Sequence, residues 1–208
     1  YLGLLQVFAE TRFFLENAGR PPAYAVEVVS RGTGTIYECK GLSITASNTF
    51  ESLRGKVDTL ILQAADDDDE CLRDERFIAW VAKMATRVRR IVSVCTGSFI
   101  LAEAGVLDGR HATTHCRAPD IALPHWAAAD DFRSSYPNVR LVPDRIYVKD
   151  GHVYTSAGVT AGMDLAIALV EEDLGTELAR RVAQAMVVFM KRPGSQTQFA
   201  ASLAPDRC

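Results

Sequence analysis

Residues 90–105 read RIVSVCTGSFILAEAG, and they carry the strongest indication of how the chain folds. An apolar, β-branched run ends at Cys95, three small residues follow, and a helical pattern begins behind them. A strand that turns sharply into a helix is a nucleophile elbow, which holds the side chain at the turn away from the backbone. The helix N-terminus stabilises a thiolate, so we expect a lowered pKa for Cys95. A buried structural cysteine at a strand end is the alternative that the spacing leaves open.

Composition limits the class of protein. Hydrophobic residues make up 48% of the 208 residues and the formal net charge is −3, as in one soluble globular domain. The weak negative charge argues against a nucleic-acid surface on this segment. The five cysteines are irregularly spaced and form no zinc-ligand pattern, so we expect a reducing cytoplasmic location, no metal and no cofactor. The sequence contains no apolar run of membrane-spanning length, so we expect no membrane partner.

Strand-like and helical patterns alternate along the chain, which predicts a three-layer α/β sandwich around a largely parallel sheet. We expect a strand before Tyr1, because such a domain ordinarily opens with one. We predict strands at residues 24–30, 57–62, 91–94, 112–115 and 153–156, and helices at residues 4–16, 73–87, 98–104, 161–174 and 176–190. A site should lie at the carboxyl ends of the parallel strands, where Cys95 is placed.

Six sequence strings point to one family. They are SVCTGS at 93–98, AEAGVLDGR at 102–110, ATTH at 112–115, TSAGVTAGMDL at 155–165, EEDLG at 171–175 and RPGSQTQF at 192–199. Together they resemble the ThiJ/PfpI-type, class I glutamine amidotransferase-like domain at the N-terminus of AraC-family transcriptional regulators. The resemblance implies a flavodoxin-like fold with a nucleophile-elbow cysteine.

The resemblance also implies a domain organisation and a set of partners. Residues 1–192 correspond to a ligand-sensing domain, and residues 193–208 to the start of a linker. In regulators of this type a helix-turn-helix DNA-binding domain follows that linker, and this sequence does not contain it. We therefore expect a homodimer that binds a small-molecule effector, with nitrogenous metabolites suggested by the family. DNA would be contacted only through the absent C-terminal domain.

The candidate site residues follow from the elbow and the resemblance. The candidate catalytic residues are Cys95, Thr96 and His115. The candidate ligand-binding residues are Cys95, Thr96, Gly97, His115, Thr155 and Ser156, together with Ala64 and Ala65 at the oxyanion position. A packed structural histidine is the alternative reading of His115, and an N-cap of the helix that starts near Ala161 is the alternative role for Ser156 or Thr160.

The residues also bear on enzyme activity. Thr96 stands where peptidase-like relatives carry a histidine, and the Cys-Thr pair resembles isonitrile hydratases and the regulators. Ala64-Ala65 replaces a Gly-Gly turn of relatives, and their acidic residue would fall before Tyr1. These departures argue against turnover and favour a sensor. A stand-alone thiol-dependent hydratase or amidase is the alternative function.

Two further expectations concern charged residues outside this set. We predict that the basic run 88–90 is a surface entry to the following strand. We also predict that Asp164 is an exposed residue near a helix N-terminus, where a carboxylate is favoured by the helix dipole.

Overall fold

The computed structural model describes residues 2–32, 34–39, 42–46, 48–63, 68–115 and 126–190. Its helices are α1 (Leu2–Asn17), α2 (Asp68–Arg73), α3 (Glu75–Ala85), α4 (Gly97–Glu103), α5 (Trp126–Ser135), α6 (Val159–Leu174) and α7 (Thr176–Ala185). Its strands are β1 (Val29–Ser30), β2 (Gly34–Cys39), β3 (Leu42–Ala46), β4 (Asn48–Thr49), β5 (Thr59–Gln63), β6 (Arg90–Val94), β7 (His111–Ala112), β8 (Arg140–Leu141), β9 (Tyr147–Asp150) and β10 (Val153–Ser156). None of the helices in these ranges is long and apolar enough to cross a bilayer.

The largest sheet has the strand order β5-β6-β10-β9. Strands β5, β6 and β10 are parallel, and β9 joins β10 in an antiparallel hairpin at the edge. Ile91 in β6 is level with Leu60 on one side and with Val153 on the other. Because all three parallel strands run in one direction, their carboxyl ends lie at the same edge of the sheet.

Helices cover both faces of this sheet. The apolar residues of β6 alternate between two clusters, as the period of a strand requires. Val92 and Val94 pack with α1, α6 and α7, whereas Ile91 packs with α3, α4 and α5. The predicted flavodoxin-like three-layer sandwich with a mostly parallel sheet is confirmed.

Two predicted elements differ from the structure near the N-terminal half. The strand predicted at 24–30 is only two residues long, at its C-terminal end. The helix predicted at 73–87 is α3, which is shorter and spans Glu75–Ala85, and a separate short helix, α2, precedes it at Asp68–Arg73. The Asp74 carboxylate accepts a hydrogen bond from the Phe77 amide at 3.1 Å, and this cap starts a separate helix.

The helix predicted at 176–190 ends at Ala185. The Val188 amide donates to the Ala183 carbonyl at 3.0 Å and the Val187 amide donates to the Gln184 carbonyl at 3.1 Å. Val187 has φ = 54°, so these contacts form a Schellman turn with valine in the position that usually holds glycine. The apolar run 186–190 therefore continues past the helix rather than within it.

Two charged residues predicted to be exposed are buried. Arg90 is 3% exposed, because the first residue of β6 lies beneath the acidic C-terminal end of α6. Its guanidinium pairs with Asp173 at 2.5 Å, and Asp173 also contacts Arg89 at 2.8 Å and the Tyr24 hydroxyl at 3.0 Å. Burial raises the pKa of Asp173, but the two arginines outweigh it and hold that pKa below its usual range. Asp164 is 8% exposed, because α6 buries a wide face.

Candidate functional site

Cys95 occupies the turn between β6 and α4 and forms the elbow that the sequence predicts. Its φ of 59° lies in the left-handed region, which costs an L-residue about 1–2 kcal/mol. The backbone holds this conformation, because the Cys95 amide donates to the Ser156 carbonyl at 2.9 Å. The Cys95 carbonyl accepts from the Ser98 hydroxyl at 3.1 Å. The Cys95 side chain is half-buried and forms no disulfide.

Gly97 allows the elbow to lie against the neighbouring strand. A Cβ atom at this position would stand 2.4 Å from the Leu62 carbonyl oxygen and 2.9 Å from its carbon. Both are backbone atoms of β5, so no side-chain rotation relieves the clash. The glycine therefore lets the first turn of α4 sit at the carboxyl end of β5, directly beside Cys95.

His115 lies beside the loop that follows β10. A Cβ atom at Gly158 would be 3.5 Å from Nδ1 of His115, so the imidazole lies next to this loop. The same loop holds the elbow, because the Ser156 carbonyl accepts from the Cys95 amide. The structure thus brings the neighbourhoods of Cys95 and His115 together across residues 156–158. Thr96 precedes α4 and is 9% exposed, and its side chain does not cap the helix.

Thr155 and Ser156 lie in this neighbourhood, but their hydroxyls are used within the protein. Both residues are essentially fully buried. The Thr155 hydroxyl accepts from the Thr113 amide at 2.8 Å, and the Ser156 hydroxyl donates to the Ser93 carbonyl at 3.4 Å. The first of these contacts explains why the strand predicted at 112–115 is short, since a side chain replaces the strand ladder there. A ligand-binding role for both residues stays a prediction.

The loop also enters α6 without a side-chain cap. Gly158 is the N-cap residue, so the alternative role of Ser156 or Thr160 as helix cap is wrong. At the neighbouring strand, Tyr147 is level with Ser156. Burial, followed by the nearby Glu171 and Asp164 carboxylates, raises the pKa of Tyr147, which keeps its phenol protonated at neutral pH.

Sequence reasoning missed two residues of the site. Ser98 and Thr114 are both 0% exposed, and their hydroxyl oxygens are 2.5 Å apart. The sequence signal for these two residues is weak. Ser98 is a small polar residue a few positions after a predicted buried strand, and Thr114 lies within another predicted strand. Only the fold brings them together, because sixteen residues separate them in the chain.

Several predicted features lie outside the described residues. These are the oxyanion candidates Ala64 and Ala65, and the predicted linker at 193–208. Within the described ranges, no group of three or more histidine, cysteine, aspartate or glutamate side chains is arranged to hold a metal ion.

A parallel α/β sandwich with a strained cysteine at a strand-to-helix elbow defines a class of thiol-bearing, amidotransferase-like domains. A sequence profile of the DJ-1/PfpI family matches residues 8–172, and the chain belongs to this family. The resemblance stated from the sequence is thereby confirmed.

The chain is similar in sequence to transcriptional regulators and to an enzyme. The HTH-type transcriptional regulator CdhR of Pseudomonas aeruginosa is 32% identical over 84% of this chain and 48% of its own length. The isonitrile hydratase of Pseudomonas putida is 30% identical over 77% of this chain and 64% of its own length. A crystal structure of an AraC family transcriptional regulator from Pseudomonas putida has a TM-score of 0.65 and 20% identity, covering 89% of this chain and 93% of that chain. The chain spans about half the length of the curated regulator.

Proposed function

We propose that this chain is the effector-sensing and dimerising domain of an AraC-type transcriptional regulator. A small molecule binds beside Cys95 and controls DNA binding by a C-terminal helix-turn-helix domain, in the cytoplasm. The observation that carries the proposal is the loop 156–158, which accepts a hydrogen bond from the Cys95 amide, lies next to His115 and leads directly into α6. The similarity to a helix-turn-helix regulator over 84% of the chain supports the same assignment.

The packing of α6 offers a route from the site to the rest of the domain. A Cβ atom at Gly162 would be 2.9 Å from Cγ1 of Val94, so α6 packs closely on the Val94 side chain at the carboxyl end of β6. At its other end α6 passes through Gly175 into α7. A ligand that displaces the loop therefore moves a closely packed helix pair, and closely packed elements shift as units.

The hydrogen bonds that the buried hydroxyls form within the protein favour ligand binding over catalysis. Ser98, Thr114, Thr155 and Ser156 all take part in hydrogen bonds within the protein. A cysteine hydrolase needs a proton carrier and oxyanion donors placed around the thiolate. Cys95, Thr96 and His115 lie around the elbow and the loop 156–158, and they are the residues that we propose contact a small polar molecule. A nitrogenous metabolite is the ligand class that we propose.

A thermal-shift screen followed by product analysis tests this function. The compounds are free amino acids, quaternary amines, small amides and isonitriles, each incubated with the wild-type chain, Cys95→Ala and Cys71→Ala. Cys71 lies on α2 and is the matched control for removal of a thiol. A ligand at about one hundred times its Kd adds about 2.7 kcal/mol of stability, which raises the Tm by about 5–11 °C.

We expect one compound to raise the Tm of wild type and of Cys71→Ala, with a much smaller shift in Cys95→Ala and no product. An equal shift in Cys95→Ala would place the ligand elsewhere. In the full-length product of the gene, the same compound should alter the affinity for operator DNA. If the affinity for DNA is the same with and without the bound compound, the regulatory part of the proposal is overturned.

Dimerisation is tested separately, at two exposed apolar residues. Leu2 and Val159 are each 59% exposed, at the first turns of the two helices that meet where Gly3 approaches Met163. We expect light scattering to give twice the mass of the chain, and Val159→Asp to reduce that mass to one chain. A monomeric wild type would remove dimerisation from the proposal.

A second candidate function is hydration of an isonitrile. The similarity to isonitrile hydratase, at 30% identity over 77% of this chain, favours it. Addition of water to R–NC gives the formamide R–NH–CHO, with Cys95 as nucleophile. Formation of that formamide by wild type and Cys71→Ala, and its loss in Cys95→Ala, would establish the enzyme and displace the sensor.

A further inference from the structure

Two buried hydroxyls lie between the backbone of Cys95 and the backbone of His115. The Ser98 oxygen is 3.1 Å from the Cys95 carbonyl oxygen and 2.5 Å from the Thr114 hydroxyl oxygen. The Thr114 oxygen is in turn 3.3 Å from the His115 carbonyl oxygen. Ser98 and Thr114 are both 0% exposed, so bulk water does not compete for these contacts. The result is a continuous path of three contacts from the elbow to the strand end that carries His115.

The path has three contacts but only two protons. Each hydroxyl carries one proton, and a carbonyl oxygen carries none. Two hydroxyl oxygens 2.5 Å apart need a proton between them, because that distance is at the short end of O–H···O hydrogen bonds. The one remaining proton reaches one carbonyl and leaves the other. Either Thr114 donates to Ser98 and Ser98 donates to Cys95, or Ser98 donates to Thr114 and Thr114 donates to His115.

We propose that Ser98 and Thr114 are positioning residues that couple the Cys95 elbow to His115 through this shared proton. When Ser98 donates to the Cys95 carbonyl, the strained turn gains a hydrogen bond and the His115 carbonyl loses one. In the other arrangement the His115 carbonyl gains that hydrogen bond, the Cys95 carbonyl loses it, and the turn is still held by the bond from the Cys95 amide to the Ser156 carbonyl. The inference deepens the proposed function. A ligand that binds at Cys95 or His115 and favours one arrangement changes the hydrogen bonding of the other residue without contacting it.

The coupling predicts opposite effects of the two hydroxyls on Cys95. Removal of the Thr114 hydroxyl leaves the Ser98 proton to the Cys95 carbonyl at all times. Removal of the Ser98 hydroxyl takes that bond away altogether. A donor on the carbonyl reduces the negative potential beside the sulfur, which favours the thiolate. Thr114→Val should therefore make Cys95 more reactive at low pH, and Ser98→Ala should make it less reactive.

The test is the pH profile of Cys95 alkylation by iodoacetamide, followed by mass spectrometry of the Cys95 peptide, with no ligand present. We expect Ser98→Ala to move the midpoint upward by about half a pH unit, which slows alkylation about threefold below the midpoint. Thr114→Val should move the midpoint downward, and Thr114→Ser should restore the wild-type profile. Thr11→Val removes a buried hydroxyl on α1, bonded to the Val7 carbonyl, and should change nothing.

Shifts of Ser98→Ala and Thr114→Val in the same direction would overturn the proposal, as would an unchanged midpoint in Ser98→Ala. Carbonyl ¹³C chemical shifts give a second measurement that needs only Ser98→Ala, in case Thr114→Val does not fold. Hydrogen bonding moves a carbonyl carbon downfield, so Cys95 should move upfield and His115 downfield. If the chemical shift of the His115 carbonyl carbon is unchanged in Ser98→Ala, the shared proton is contradicted. Because no ligand is used, failure here is distinct from failure to find an effector.

Discussion

Replacement of Gly97 by alanine tests the geometry on which the whole site depends. The added Cβ atom would lie 2.4 Å from the Leu62 carbonyl oxygen. Close-packed interiors do not contain such contacts, so β5 or α4 must move apart by more than about half an ångström. Both atoms that clash with the new methyl group belong to the Leu62 backbone, and the shift therefore disturbs β5, a strand of the largest sheet.

The expected cost follows from this overlap. Overpacking of a core costs about 1–3 kcal/mol, and a backbone clash belongs at the upper end of that range. For a chain of this length, about 3 kcal/mol lowers the Tm by about 6–12 °C. Since α4 starts beside Cys95, the displacement should also change the rate at which iodoacetamide alkylates that cysteine.

Thermal unfolding followed by far-UV circular dichroism measures the effect. Gly32→Ala is the matched control, because a Cβ atom at Gly32 meets nothing within 4 Å. We expect the control to retain the wild-type Tm and Gly97→Ala to lose several degrees. If the two variants unfold at the same temperature, the close approach of α4 to β5 is wrong, and the proposed elbow geometry fails with it.

Three further predictions concern charge and backbone strain. Arg90→Met should lower the free energy of unfolding by about 3 kcal/mol, because it removes one partner of the buried pair with Asp173, whereas Arg180→Ala on the surface should leave the Tm unchanged. A hydrogen bond from Arg89 is the chief cause that lowers the pKa of Asp58 to about 2. The contribution of Asp58 to the free energy of unfolding is therefore complete above the usual aspartate pKa and is lost as the pH falls through about 2. Denaturant unfolding should show Asp58→Asn less stable than wild type at neutral pH, with a difference that shrinks as the pH falls towards 2 and below; a constant difference would contradict the linkage. Val187→Gly should raise the Tm by about 2–4 °C, because it relieves a left-handed valine that is 91% exposed, and a lower Tm would show that φ = 54° carries no strain.

The sequence predicted the Cys95 elbow more accurately than it predicted the ends of the helices. The elbow at Cys95 was visible because an apolar strand, a turn of small residues and a helix occur within one short segment. The start of α3 after Asp74 depends on one hydrogen bond, and the end of α7 at Ala185 depends on two. Hydrophobic periodicity averages over several residues, so it does not locate such an event.

The sequence pattern also failed to predict that two charged residues are buried. Arg90 and Asp164 were predicted to be exposed, and both are buried. A charged residue beside a strand or in a helix is on average solvated, and its burial depends on a partner or a covering element. For Arg90 that partner is Asp173, which is distant in the chain and comes near only when α6 folds back along β6.

The fold class, the elbow cysteine and the family could be predicted from the sequence, because each shows in short runs of neighbouring residues. What surrounds Cys95 depends on the tertiary structure. It placed the Gly158 loop against His115, closed α4 onto β5 at Gly97, and brought Ser98 within 2.5 Å of Thr114. These are contacts between separate segments, and they exist only after hydrophobic burial has stacked the helices on the sheet.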